Sequence, residues 1–131
     1  MRLLNTITLK LHYFIDKAIP EYAILSHRWD EEEVLFQDLQ EGRGPFMPGY
    51  AKIGGCCTQA RKDGWEYAWI DSCCIDKTSS AELSEAINSM YQWYTDAQVC
   101  YAFLSDVDAG KQDIPGDLKR SAWFTRGWTL Q

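Results

Sequence analysis

The chain has 131 residues, 46% of them apolar and six of them tryptophan, which suits one packed domain and excludes a disordered one. A net charge of −6 and a pI near 4.8 argue against non-specific nucleic-acid binding, which needs basic surface to displace counterions. No apolar run reaches the length of a membrane span and the N-terminus lacks a signal-peptide core, so a cytoplasmic protein is expected.

Residues 2–4 and 7–11 alternate in polarity around Asn5-Thr6 and predict a short N-terminal strand pair. After Pro20, the apolar run from Tyr22 predicts a first core strand near 21–26. Acidic residues 30–33 precede Val34, Leu35, Phe36 and Leu39; acids at a helix start complement the macrodipole, predicting a short helix near 31–40. Glycines and prolines between 42 and 49 mark a loop. Tyr50, Ile53, Cys57 and Ala60 share one helical face, predicting a helix near 49–63 that Gly64 ends. Gly54-Gly55 inside it costs about 1 kcal/mol per glycine relative to alanine, and close packing of helix on sheet is the expected reason for both. A second strand is expected near 66–72.

Ser79 with Glu82 has the spacing of a capping box and opens the best-defined helix, near 80–97. Leu83, Ala86, Ile87, Met90, Tyr94 and Ala97 are its expected buried stripe. A third strand near 99–104, a polar loop from 106 to 116 and a helical segment from Ser121 complete the chain. Strands alternating with helices predict an α/β fold, with right-handed crossovers and a small parallel sheet flanked by helices.

Each core strand runs into polar groups at its C-terminal end, where open α/β sheets bind ligands. Ser26, His27, Arg28 and Trp29 follow the first strand. A hydroxyl, an imidazole and a guanidinium suit phosphate or ribose, and the indole offers a stacking face. Asp71 and Asp76 flank the end of the second strand, where an acid can hold a ribose hydroxyl or cap the next turn. Ser105 follows the third. Glu85, on the main helix, is not needed for capping and is a candidate acid. No Gly-x-Gly-x-x-Gly or Walker loop is present. Cys56, Cys57, Cys73, Cys74 and Cys100 include no C-x-x-C pair, so reduced, mostly buried thiols are expected and no metal site. Cysteine-dependent hydrolysis would need His27 beside Cys73 or Cys74.

Ser26–Trp29, Trp69–Asp76, Ala81–Met90 and Arg126–Gln131 resemble the ordered signature blocks of the fungal heterokaryon-incompatibility (HET) domain, which is itself similar to the Toll/interleukin-1 receptor (TIR) fold. The resemblance covers nearly all of residues 1–131 and implies a flavodoxin-like, TIR-like parallel sheet. It implies an effector that triggers cell death in fungal allorecognition, as the N-terminal part of a larger receptor chain, through self-association or a partner incompatibility protein. TIR enzymes that cleave NAD place a tryptophan four residues before a catalytic glutamate. Trp128 occupies that register, so the resemblance places the main acid just past Gln131 and implies a domain cut short there, inactive as a fragment. By the same resemblance NAD is a substrate, with no tightly bound cofactor. Glu85, His27 and Asp71 are the candidate catalytic groups within the chain. Ser26, Arg28, Trp29, Asp76, Ser105, Arg126 and Trp128 are the candidate binding groups. A non-enzymatic assembly module is the alternative.

Overall fold

The computed structural model describes residues 1–107 and 114–125. Five strands form one sheet: β1 (Arg2–Asn5), β2 (Leu11–Tyr13), β3 (Ala23–His27), β4 (Tyr67–Trp69) and β5 (Val99–Phe103), in the order β2-β1-β4-β3-β5. The β4-β3-β5 core is parallel, with Ile24 opposite Trp69 on one side and Cys100 on the other. The N-terminal pair is antiparallel and joins the sheet by antiparallel pairing of β1 with β4, so the whole sheet is mixed. In its turn the Asn5 side chain accepts the Ile7 and Thr8 amides, each at 2.9 Å, an Asx turn.

The helices are α1 (Phe36–Gln40), α2 (Tyr50–Lys62), α3 (Ser80–Asp96) and α4 (Ile114–Arg120). α2 joins β3 to β4 and α3 joins β4 to β5. They cover opposite faces of the sheet. Lys52 on α2 reaches His27, whereas the Trp69 ring stacks edge-on against Trp93 and Tyr94 of α3. All five residues of β3 are buried, as a central parallel strand covered on both faces requires. α2 ends at Gly64, whose φ of 89° is the left-handed conformation glycine adopts without steric cost.

Several expected boundaries move. Residues 31–35 are not helical, because Glu33 turns inward to Lys52; α1 begins only at Phe36, its Asp38 carboxylate accepting the Leu35 amide at 2.9 Å. A helix starts at Ile114, inside the expected polar loop, with Pro115 in its first turn where a missing N–H costs nothing. Ile87 is 53% exposed and is not part of the buried stripe of α3; Trp93 packs there instead. The main helix thus covers its face of the sheet with Leu83, Ala86, Met90, Trp93 and Tyr94. Gly54 and Gly55 are not there for sheet contact, since a Cβ on either meets nothing within 4 Å. The glycine that packing does require is Gly49, where a Cβ would sit 2.2 Å from the Glu32 carbonyl oxygen. The Ser79 hydroxyl caps α3, accepting the Glu82 amide at 3.3 Å. Glu82 does not complete the box: its carboxylate accepts the Asp76 amide at 3.0 Å and pairs with Arg2.

Candidate functional site

From β3 the chain goes to β4 on one side; from β4 it crosses back to β5 on the other. The ends of β3 and β5 therefore form the topological switch point of the parallel core, the place where such sheets hold ligands. A cleft of about 680 Å³ opens there. Arg28, Trp29, Asp30 and Glu31 line it from the end of β3, Phe103, Ser105 and Asp106 from the end of β5, and Ala122 and Trp123 from beyond α4. Three aromatic faces, one guanidinium and three carboxylates give it both stacking surface and charge. Asp106 is committed to structure: it accepts the Ser121 hydroxyl at 2.6 Å and the Ala122 amide at 2.7 Å. Those two bonds hold its carboxyl below the ordinary value.

Beneath the cleft lies a buried polar chain. His27, 1% exposed, sits between two charges, with Nε2 2.6 Å from the Asp71 Oδ1 and Nδ1 3.1 Å from the Lys52 ammonium. The ammonium has no lone pair, so Nδ1 is the acceptor and the ring proton lies on Nε2, donated to Asp71. The other oxygen of Asp71 accepts the Trp29 indole N–H at 3.0 Å. Burial works to raise the Asp71 carboxyl, but the His27 and Trp29 hydrogen bonds and the nearby Lys77 outweigh it and the net direction is downward. The Lys77 ammonium lies 4.8 Å from the centre of the Trp29 ring, within cation–π range. Burial lowers its pKa, opposed by Asp71.

Lys52 is 5% exposed. Besides His27, its three N–H groups reach the Arg28 carbonyl at 3.1 Å and Glu33 Oε1 at 2.5 Å. Asp30 adds an ionic contact at 3.1 Å. Glu33, also buried, accepts the Asp30 amide at 2.8 Å. Sequence reasoning misses Lys52 and Glu33. The available signal is the spacing of Lys52: it stands with Ile53, Cys56, Cys57 and Ala60 on the buried stripe of α2, where a lysine demands partners.

Arg28, Trp29 and Ser105 line the cleft, and His27 and Asp71 lie directly behind its wall. Ser26 is buried in β3. Asp76 accepts the Thr78 hydroxyl and amide at 2.6 and 3.1 Å and the Gln37 side chain at 2.8 Å, which is a turn-capping role. Glu85 lines a separate hollow with Arg2, Tyr13 and Glu82. Arg126 and Trp128 lie outside the described residues. None of the five cysteines is in a disulfide, and all but Cys100 are buried. Both ring nitrogens of His27 are taken by Asp71 and Lys52, and the Cys73 thiol is pushed up by its hydrogen bond with Cys74 and by burial, so a cysteine–histidine nucleophile does not form. Among the described residues no cluster of three or more histidine, cysteine or acidic groups is placed to hold a metal ion, and no helix is long and apolar enough to cross a membrane.

The family model described as heterokaryon incompatibility protein (HET) matches residues 22–117. Over 121 residues, 86% of the chain, the sequence is 54% identical to the vegetative incompatibility protein HET-E-1 of Podospora anserina. The match covers 9% of that relative, so the chain spans less than a tenth of its length. No solved structure matches the chain.

Proposed function

The chain belongs to the heterokaryon incompatibility (HET) family, and on that premise we propose that it acts in vegetative incompatibility as an effector domain that triggers cell death by hydrolysing NAD in the switch-point cleft. The observation that carries this reading is the position of the cleft, at the ends of β3 and β5, with Trp29, Phe103 and Trp123 as stacking faces and Arg28 beside them. A dinucleotide with two flat bases and a diphosphate matches those groups.

The chemistry asks little of the protein. The bond between the ribose C1′ and the pyridinium nitrogen breaks and nicotinamide leaves neutral, so no general acid is needed. Water adds to C1′ and releases one proton, giving ADP-ribose. What remains is to stabilise the oxocarbenium-like transition state, the task carboxylates perform in glycoside hydrolysis. Among the cleft acids, Glu31 is exposed and suits that role, Asp30 and Asp106 being engaged by Lys52 and Ser121.

The test is incubation of NAD with the purified protein extended past Gln131, with nicotinamide and ADP-ribose resolved by chromatography, beside a viability assay on cells expressing the same variants. Trp29→Ala and Glu31→Gln, both exposed positions, should lower nicotinamide release and killing together. Killing without any release of nicotinamide would overturn the enzymatic reading. It would leave the assembly module, which one observation favours: Ile87 and Tyr91, one turn apart on α3, are 53% and 66% exposed.

A further inference from the structure

We infer that Lys52 is the positioning residue of the cleft: its single ammonium fixes the Arg28 backbone and the Asp30 carboxylate, and, through His27 and Asp71, the ring of Trp29. The inference deepens the reading of the cleft as a ligand site and rests on it.

The three N–H groups of Lys52 meet three acceptors, the Arg28 carbonyl, Glu33 and His27 Nδ1. Its donor capacity is therefore filled, and each bond restrains a different part of the cleft. The carbonyl bond holds the turn out of β3. Glu33, paired to Lys52, holds the Asp30 amide, while Asp30 makes its own ionic contact with the ammonium. The bond to Nδ1 leaves His27 one role, donation from Nε2 to Asp71. Asp71 then keeps its second oxygen for the Trp29 indole. The ammonium also stands 5.3 Å from the centre of the Phe103 ring on the opposite wall. A buried imidazole held at both ring nitrogens has one orientation left to it, and such second neighbours preorganise a binding face.

A structural lysine would instead neutralise Glu33 and do no more. The two roles separate in a variant that removes the buried charges together. Lys52→Met with Glu33→Gln removes both buried ions and leaves Asp30, whose side chain is 54% exposed, to water; removing a buried pair together costs less stability than removing one partner. The indole N–H resonance of Trp29, assigned by its absence in Trp29→Phe, reports the Asp71 bond without any ligand. Titration calorimetry with ADP-ribose, which has no bond left to cleave, reports the cleft. The double variant should still unfold cooperatively, with the Trp29 resonance moved towards that of a free indole and ADP-ribose binding about tenfold to a hundredfold weaker. Lys52→Arg keeps the charge for Glu33, but a planar guanidinium cannot bring one donor atom to all of these acceptors, so the same resonance should move. Either folded variant with a native Trp29 signal and native affinity overturns the assignment. If ADP-ribose binds neither the wild type nor the variants while the resonance still moves, Lys52 keeps its positioning role and the NAD reading of the cleft falls.

Discussion

Asp71→Asn tests the buried chain most directly, because the substitution preserves shape and removes one acceptor. In the native protein two donors address two different oxygens: His27 Nε2–H reaches Oδ1 at 2.6 Å and Trp29 Nε1–H reaches Oδ2 at 3.0 Å. An amide offers one oxygen and one NH₂ group, so one donor must face another donor. His27 cannot escape by moving its proton, since a hydrogen on Nδ1 would point at the Lys52 ammonium 3.1 Å away. The amide oxygen therefore stays with His27, which is buried. The indole of Trp29, 40% exposed, turns to water. The loss is one charge-assisted hydrogen bond together with weakening of the other, about 1.5–3 kcal/mol at neutral pH. For a chain of this size the melting temperature should fall on the order of 5–12 °C. The pH dependence carries the sign. The folded pKa of Asp71 lies below its ordinary 3.8, so its contribution is complete above that value and is lost as pH falls through the lower folded pKa. Urea denaturation of both proteins between neutral pH and strong acid should show a gap that closes at the acid end. A variant as stable as wild type at neutral pH, or a gap unchanged in acid, would refute the geometry.

Gly49→Ala should destabilise by about 1–3 kcal/mol, since its methyl group meets the Glu32 carbonyl. Gly54→Ala and Gly55→Ala should each stabilise by about 0.5–1 kcal/mol, because both positions are helical with open space around them. All three are read from denaturant midpoints. Ile24→Ala in the centre of the sheet should cost about 2–5 kcal/mol, whereas Ile87→Ala, at an exposed position, should cost well under half of that; equal losses would mean α3 is rotated from the face described. Native-state titration with a thiol reagent should label Cys100 quickly and Cys56, Cys57, Cys73 and Cys74 only on unfolding; early labelling of Cys73 would contradict its burial.

The fold is legible in the sequence where its units announce themselves locally. Apolar runs bounded by polar strand ends mark β3, β4 and β5, and 3.6-residue periodicity marks α2 and α3. The joining of β1 to β4 is not legible, since pairing between strands so distant in the chain leaves no local trace. The expected stripe of α3 fails at Ile87 for a related reason: periodicity finds an apolar arc but not which edge of it the sheet covers. At the site, Arg28, Trp29 and Ser105 can be found because strand ends point to ligands in this architecture. Lys52 and Glu33 escape notice because charged residues are ordinarily solvated, and only their mutual proximity makes them buried partners. His27 and Asp71 have the chemistry of reacting groups. His27 is buried and Asp71 half-buried, each bonded to neighbours behind the cleft, so alanine at either position should perturb folding.

The antiparallel seating of β1 against β4, with Leu4 opposite Ala68 and Asn5 opposite Tyr67, has a consequence for synthesis on the ribosome. β1 and β2 are made before the strand that receives them, and a two-stranded ribbon alone is at best marginally stable in water. Leu3 and Leu4, fully buried in the finished domain, stay exposed until β3, α2 and β4 have been translated and have met. β1 and β2 therefore leave the ribosome before the strand that locks them in place, and for that interval their unpaired edges are open to pairing elsewhere.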